Sequence, residues 1–209
     1  MVSPSPRIYY YILKIDLGAA PCIENGFLTL AICKPAIRRT AKKGDWLIGF
    51  TPKNEGHKLA YIAEITDEPI EGQDYYNNPK YNKRLDNIYI FENHEYSLKN
   101  EKIHKEKNVI TDVGDKPKYS NAFVLKSEKF SDFRDNPKSL PSDKFPYLLE
   151  KLGRLTQGHR VNHSDKVRVE LEKLIKKIRI SKKGVLGKPQ DPIYLNHEED
   201  ATSKYVGKC

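Results

Sequence analysis

Residues 27–66 read FLTLAICKPAIRRTAKKGDWLIGFTPKNEGHKLAYIAEIT, and the fold turns on how this stretch is read. Phe27 to Cys33 is an apolar run of the length of a buried strand. Pro35 fits the first turn of a helix, where its missing N–H costs nothing. Ile37 and Ala41 stand four residues apart and share one helical face. Gly44 follows where a left-handed C-cap belongs. Asp45 to Phe50 resumes as a strand. Lys58 to Thr66 is a longer strand with Leu59, Tyr61, Ala63 and Ile65 on one side. The order is therefore strand, short helix, strand, loop, strand.

A helix this short is not stable alone. It has to be held between strands, and its first turn offers N–H groups and positive dipole to a ligand. Lys34 and Arg38 flank that turn, and Trp46, the single tryptophan, starts the next strand. A cationic pair, a helix start and a tryptophan are expected to converge on an anionic, flat ligand such as a nucleotide or modified base. The bland alternative is a cross-over helix plugging a barrel, with Lys34 and Arg38 solvated and Trp46 in the core.

The pieces Lys34-Pro35, Arg38, Ala41 and Gly44-Asp45-Trp46 form a strand followed by K-P-x-x-R-x-x-A and G-D-W. This pattern resembles the PUA-like superfamily, which includes the ASCH, EVE and YTH domains. More closely it resembles the second of the nucleotide-modification-associated domain families of phage and bacterial genomes. An early Asp16-x-Gly18-x-x-Pro21, Cys33, and Asp86-Asn87-Ile88-Tyr89 also match, and the similarity extends over most of residues 7–190. The resemblance implies an α+β fold, a twisted mixed sheet closing into a PUA-like partial β-barrel with helices outside. It implies a ligand class around modified nucleobases, not a reaction.

Working outward, 209 residues suffice for one good core. Residues 7–195 read as a single α+β domain, with an inserted segment at about 67–107 and a tail over 196–209. The formal charge of +9 permits contact with nucleic-acid phosphates, although much of the excess is lysine scattered in loops. Three cysteines without a CxxC argue against a disulfide framework or a structural zinc site, and for a reducing compartment. No run is long enough to span a bilayer and no signal peptide is evident, so the expected location is cytoplasmic and no membrane partner is expected.

Arg7 to Ile15 is a strand apolar on both faces, hence central. Asp16 to Gly26 is a loop able to wall a pocket. Tyr75, Tyr76 and Tyr81, mixed with Lys80, Lys83 and Arg84, either stack bases or pack on the barrel. Residues 93–107 read as loop and 129–146 as irregular. Strands are expected over 88–91 and 122–126, a helix over 146–155, a loop over 157–163, and the clearest helix over 165–178, N-capped by Ser164. An edge segment is expected over 185–195.

The candidate ligand-binding residues are Asp16, Cys33, Lys34, Arg38, Trp46 and His159. Trp46 would stack on the base, Lys34 and Arg38 would meet phosphate or base edge, and Asp16 would accept a hydrogen bond. Tyr9 or Tyr11 would line the same pocket. His159 and His163 have a ligand-like spacing, but Gly158 and Asn162 favour a loop, so no metal is expected. Cys33, beside Lys34, could be a nucleophile or an inert small hydrophobe. No Walker, Rossmann, G-x-S-x-G or kinase motif is present, and no cofactor is called for. That absence moves weight from an enzyme on nucleotides or bases toward a binding module. A regulatory protein docking a partner through 67–107 is the third reading.

Overall fold

The structure is a computed structural model describing residues 5–155, 158–178 and 187–190. In chain order its first half runs β1 (Ile8–Ile12), β2 (Cys22–Glu24), β3 (Phe27–Leu30), α1 (Pro35–Thr40), β4 (Trp46–Phe50), β5 (Leu59–Glu64), β6 (Ile70–Glu71) and α2 (Gly72–Tyr76). The second half runs β7 (Tyr89–Glu92), β8 (Glu95–Leu98), α3 (Val109–Val113), β9 (Phe123–Ser127), β10 (Lys129–Asp132), α4 (Pro146–Gly153), β11 (His159–Arg160) and α5 (Asp165–Lys177).

The fold is α+β. A five-stranded mixed sheet has the order β10-β5-β4-β1-β11, a four-stranded sheet has the order β2-β3-β9-β6, and β7 and β8 form a hairpin. The strands expected at 7–15, 45–50 and 58–66 all belong to the larger sheet, with β1 and β4 parallel. That sheet stays open, with β10 and β11 at its edges. β10 and the short β11 fall where the sequence reads as irregular or loop, and β8 falls within the expected 93–107 loop. Each gains its strand geometry from a partner: β10 from β5, β11 from β1 and β8 from β7. Cross-strand pairing of this kind leaves little local signal. Residues 187–190, within the edge segment expected over 185–195, form no strand; the rest of that segment and the 196–209 tail lie outside the described residues.

Strand β1 is buried throughout, and its pleat divides the interior. Ile8, Tyr10 and Ile12 join Ile48, Phe50 and the apolar faces of α4 and α5 in one core. Tyr9, Tyr11 and Leu13 face the other way, with Leu47, Tyr61, Leu28, Leu30 and Ile37. The expected one-sided row on β5 is broken. Tyr61, Ala63 and Ile65 share the Tyr11 side, whereas Leu59 lies with Phe50 on the other. A register irregularity between Gly49 and Phe50 causes this, since one extra residue reverses every later side chain. Gly49 is required here: a Cβ would stand 2.2 Å from the Tyr61 ring.

Helices α4 and α5 cover the Tyr10 face. Ser164 is the N-cap residue of α5, but its side chain makes no cap bond. Glu170 instead turns inward and receives the Leu148 N–H at 2.7 Å and the Tyr147 N–H at 3.3 Å. A carboxylate thus sits on the start of α4, where the dipole favours it. A third core, built from Tyr75, Tyr76, Tyr81 and Tyr89 with Ala31, Ile32 and Val124, lies beyond the smaller sheet. Tyr75 and Tyr76 are both 0% exposed, so these rings pack within the protein and are not open to a stacked base.

Candidate functional site

The connection from β3 to α1 passes through two successive left-handed residues. Cys33 and Lys34 both have left-handed φ, at 55° and 45°, a conformation costing a non-glycine residue about 1–2 kcal/mol. Two long-range contacts hold it. The Cys33 N–H donates to Asp112 Oδ1 at 2.7 Å, and the Cys33 carbonyl accepts from Arg38 Nε at 2.8 Å. Pro35 then opens α1, and Ala41 closes it with an N–H to the Ile37 carbonyl at 2.8 Å.

Arg38 is completely buried. Besides Cys33 O, its guanidinium donates to the carbonyls of Asn121, Phe123 and Asp112 at 2.6–2.8 Å. It also faces the Asp112 carboxylate at 3.6 Å. Its donors are thus committed to the protein's own main chain, tying α1 to α3 and β9. Asp112 is itself saturated, by Tyr89 Oη at 2.7 Å and His104 Nδ1 at 2.7 Å. Burial opposes its charge, but the His104 and Arg38 contacts hold its carboxyl below the usual range.

Lys34 is different. Its ammonium lies 5.0 Å over the Tyr11 ring, and among the described residues no carboxylate pairs with it. Desolvation first, and then the nearby Lys14, pull its pKa below the ordinary lysine value. Lys34 lines a cavity of about 30 Å³ with Lys14, Ile15, Leu17, Cys33 and His104. That is room for about two waters or the tip of a small group, not for a whole nucleotide. The loop after β1 supplies a wall, as its position suggests. The Cys33 sulfur stands 3.6 Å from His104 Nε2.

The other candidates divide. His159 pairs with Tyr11 across β1 and β11, on the Tyr9 and Tyr11 side. Its ring lies 5.9 Å from that of Tyr9, and burial, then Arg160 and Lys34, lower its pKa. It is neutral at pH 7 and flanks the Lys34 side. Asp16 is buried, accepting from Arg134 Nη1 at 2.8 Å and the Gln190 N–H at 3.0 Å. Asp132 completes this network on Arg134 at 2.9 Å. Trp46 does not converge with Lys34 and Arg38. It pairs with Ile8 and packs on the Tyr10 side of the sheet, beside α5. The reason is strand alternation: the residue at the start of β4 shares the parity of Ile8, opposite to Tyr9 and Tyr11.

Lys14, His104 and Asp112 are site residues that sequence reading passes over. Asp112 is 79 positions from Cys33, and no spacing rule connects them. Several charged motif residues are interior anchors. Asp45 accepts the N–H groups of Arg7 at 2.8 Å and Lys42 at 3.0 Å, fixing the turn before β4. Asp86 accepts from Tyr75 at 2.6 Å and Thr29 at 2.5 Å.

Fold and site together define an α+β protein with a small cationic recess at a strand-to-helix junction. The chain belongs to the family described as nucleotide modification associated domain 2, whose model matches residues 5–196. That membership places it in a nucleotide-modification context. No curated protein and no solved structure matches it. No helix among the described residues is long and apolar enough to cross a membrane, and none of their His, Cys, Asp and Glu side chains cluster in threes as a metal site needs.

Proposed function

We propose that the protein is a binding module that captures an anionic or strongly hydrogen-bond-accepting group of a nucleotide or modified nucleobase at Lys34. The observation that carries this is the contrast within one turn of chain. Arg38 is saturated by carbonyls, whereas Lys34 is desolvated, borders a recess and has no carboxylate partner among the described residues. A cation withdrawn from water without a counter-charge is costly unless a ligand supplies one. The recess admits the tip of a phosphate or of a base substituent, and the neutral His159 ring beside Tyr9 offers the remaining base a flat neighbour. Lys14, exposed at the rim, adds a second charge. Arg38 and Asp16 act here as supports that shape the walls. On the same reading residues 7–195 form one PUA-like domain, and the family's nucleotide-modification context supplies the ligand class.

The test begins with native mass spectrometry for a co-purified ligand and a thermal-shift screen of free and modified nucleotides. Lys34→Ala should lower affinity for the best ligand at least about ten-fold, the scale of one charged hydrogen bond, without lowering the unfolding midpoint. A folded Lys34→Ala protein with undiminished affinity would sink this site. Turnover of a nucleotide that is lost in His159→Ala would reassign the protein to an enzyme.

A further inference from the structure

The Trp46 side of the sheet carries its own arrangement, independent of Lys34. Trp46 is half-buried at the sheet margin, and it borders a slot of about 120 Å³ with Pro6, Ile8, Arg168, Ile175 and Lys176. The floor is apolar, and the α5 rim carries Arg168, Lys176 and the carboxylate of Glu172. Arg168 is fixed there, with Nε on Glu172 at 2.9 Å and Nη2 on the Pro6 carbonyl at 3.0 Å. Lys176 borders the slot, whereas Lys173 and Lys166 lie toward α4, over the rings of Phe145 at 5.7 Å and Tyr147 at 4.7 Å, and Lys177 is exposed at the helix end. Against these five cations the outer face of α5 sets only Asp165 and Glu172, because Glu170 is turned inward onto α4.

A half-buried tryptophan beside a helix whose outer face carries more cations than carboxylates suits one kind of occupant. A ring lodges against the indole while the attached phosphates meet the cations. An isolated mononucleotide would use few of them, since α5 carries its charges over 13 residues, or about 20 Å of helix. A duplex could meet the charges, but its stacked bases present no free face to Trp46. We propose that Trp46 and the outer face of α5 form a second contact surface, for single-stranded polynucleotide, on the opposite side of the sheet from Lys34.

Trp46 is the single tryptophan in the chain, so its emission reports this slot directly. Titration of the full-length protein with a short oligothymidylate should quench that emission saturably, with affinity falling as salt rises through counter-ion release. A duplex of equal length should quench far less. The double substitution Lys176→Gln with Lys177→Gln should weaken the oligonucleotide about ten-fold, because each exchange removes a phosphate contact. It should leave the unfolding midpoint and the mononucleotide thermal shift at Lys34 in place, so the two sites fail separately. Three results would overturn the surface: no quenching by any single strand, equal quenching by duplex, or quenching untouched in the double variant. A blue shift of Trp46 with anionic vesicles, with no response to oligonucleotide, would overturn it in favour of a lipid headgroup.

Discussion

The two faces of the five-stranded sheet handle positive charge in opposite ways. On the Tyr9 and Tyr11 side cations are drawn inside. Arg38 and Arg134 are each about 1% exposed or less and are consumed by carbonyls and by Asp112, Asp16 and Asp132. On the Tyr10 side the core beneath α4 and α5 is apolar, and the cations ride outside on α5. The difference teaches that the total charge of this chain says little about where a ligand sits. A buried guanidinium with every donor engaged is a structural bolt. A set of exposed lysines is a surface field. Lys34 is neither, because it is withdrawn from water and has no carboxylate partner among the described residues.

The largest expected effect tests the bolt. Arg38→Ala should cost about 3–5 kcal/mol, because it strands the buried Asp112 carboxylate beside unbonded carbonyls. Urea unfolding measures this, and a loss below about 1 kcal/mol would erase the contrast between Arg38 and Lys34. Arg38→Lys should not restore stability, since one ammonium cannot reach carbonyls arranged for a planar fork.

A smaller effect tests how the pleat keeps the faces apart. Gly49→Ala drives a methyl into the Tyr61 ring. Overpacking of this sort costs about 1–3 kcal/mol. Tyr61 Oη lies 2.5 Å from Tyr11 Oη, so the displaced ring should also disturb the Tyr11 face under Lys34. Paired unfolding and ligand titrations should show both losses, and a neutral Gly49→Ala would mean the ring has another place to go.

The subtlest effect is a pH dependence at Lys34. Its pKa is lowered in the folded chain, by burial and then by Lys14. Affinity for an anion should therefore hold below that lowered value and fall as pH rises through it, before an ordinary lysine near 10.4 would titrate. Stability of the unliganded protein moves the other way. Between the lowered value and the unfolded one, the unfolded chain binds more protons, so stability rises with pH. Lys34→Met should abolish both trends. Affinity and stability that instead move together across alkaline pH would place the titrating charge elsewhere.

The α+β class, the three strands of the principal sheet, helix α1 starting at Pro35 and helix α5 were all legible in the residues. Each rests on local signals: apolar runs, a proline at a first turn, a 3.6-residue period. The family was legible from short motifs such as Lys34-Pro35 and Gly44-Asp45-Trp46, and the match over residues 5–196 bears it out. Strands β8, β10 and β11 were not legible, since their polar segments become strands only by pairing with a neighbour.

The sequence by itself determined that a lysine, an arginine and a tryptophan would bracket one short helix, because that is a matter of order along the chain. Only the tertiary structure decided their fates. Arg38 met carbonyls from residues 112, 121 and 123. Trp46 was turned to the far side by the alternation of β4. Lys34 alone was left against an aromatic ring and an open recess. The physical reason is that the partners neutralising a buried charge come from remote segments, and strand parity, fixed by register across the sheet, sets which face a side chain takes.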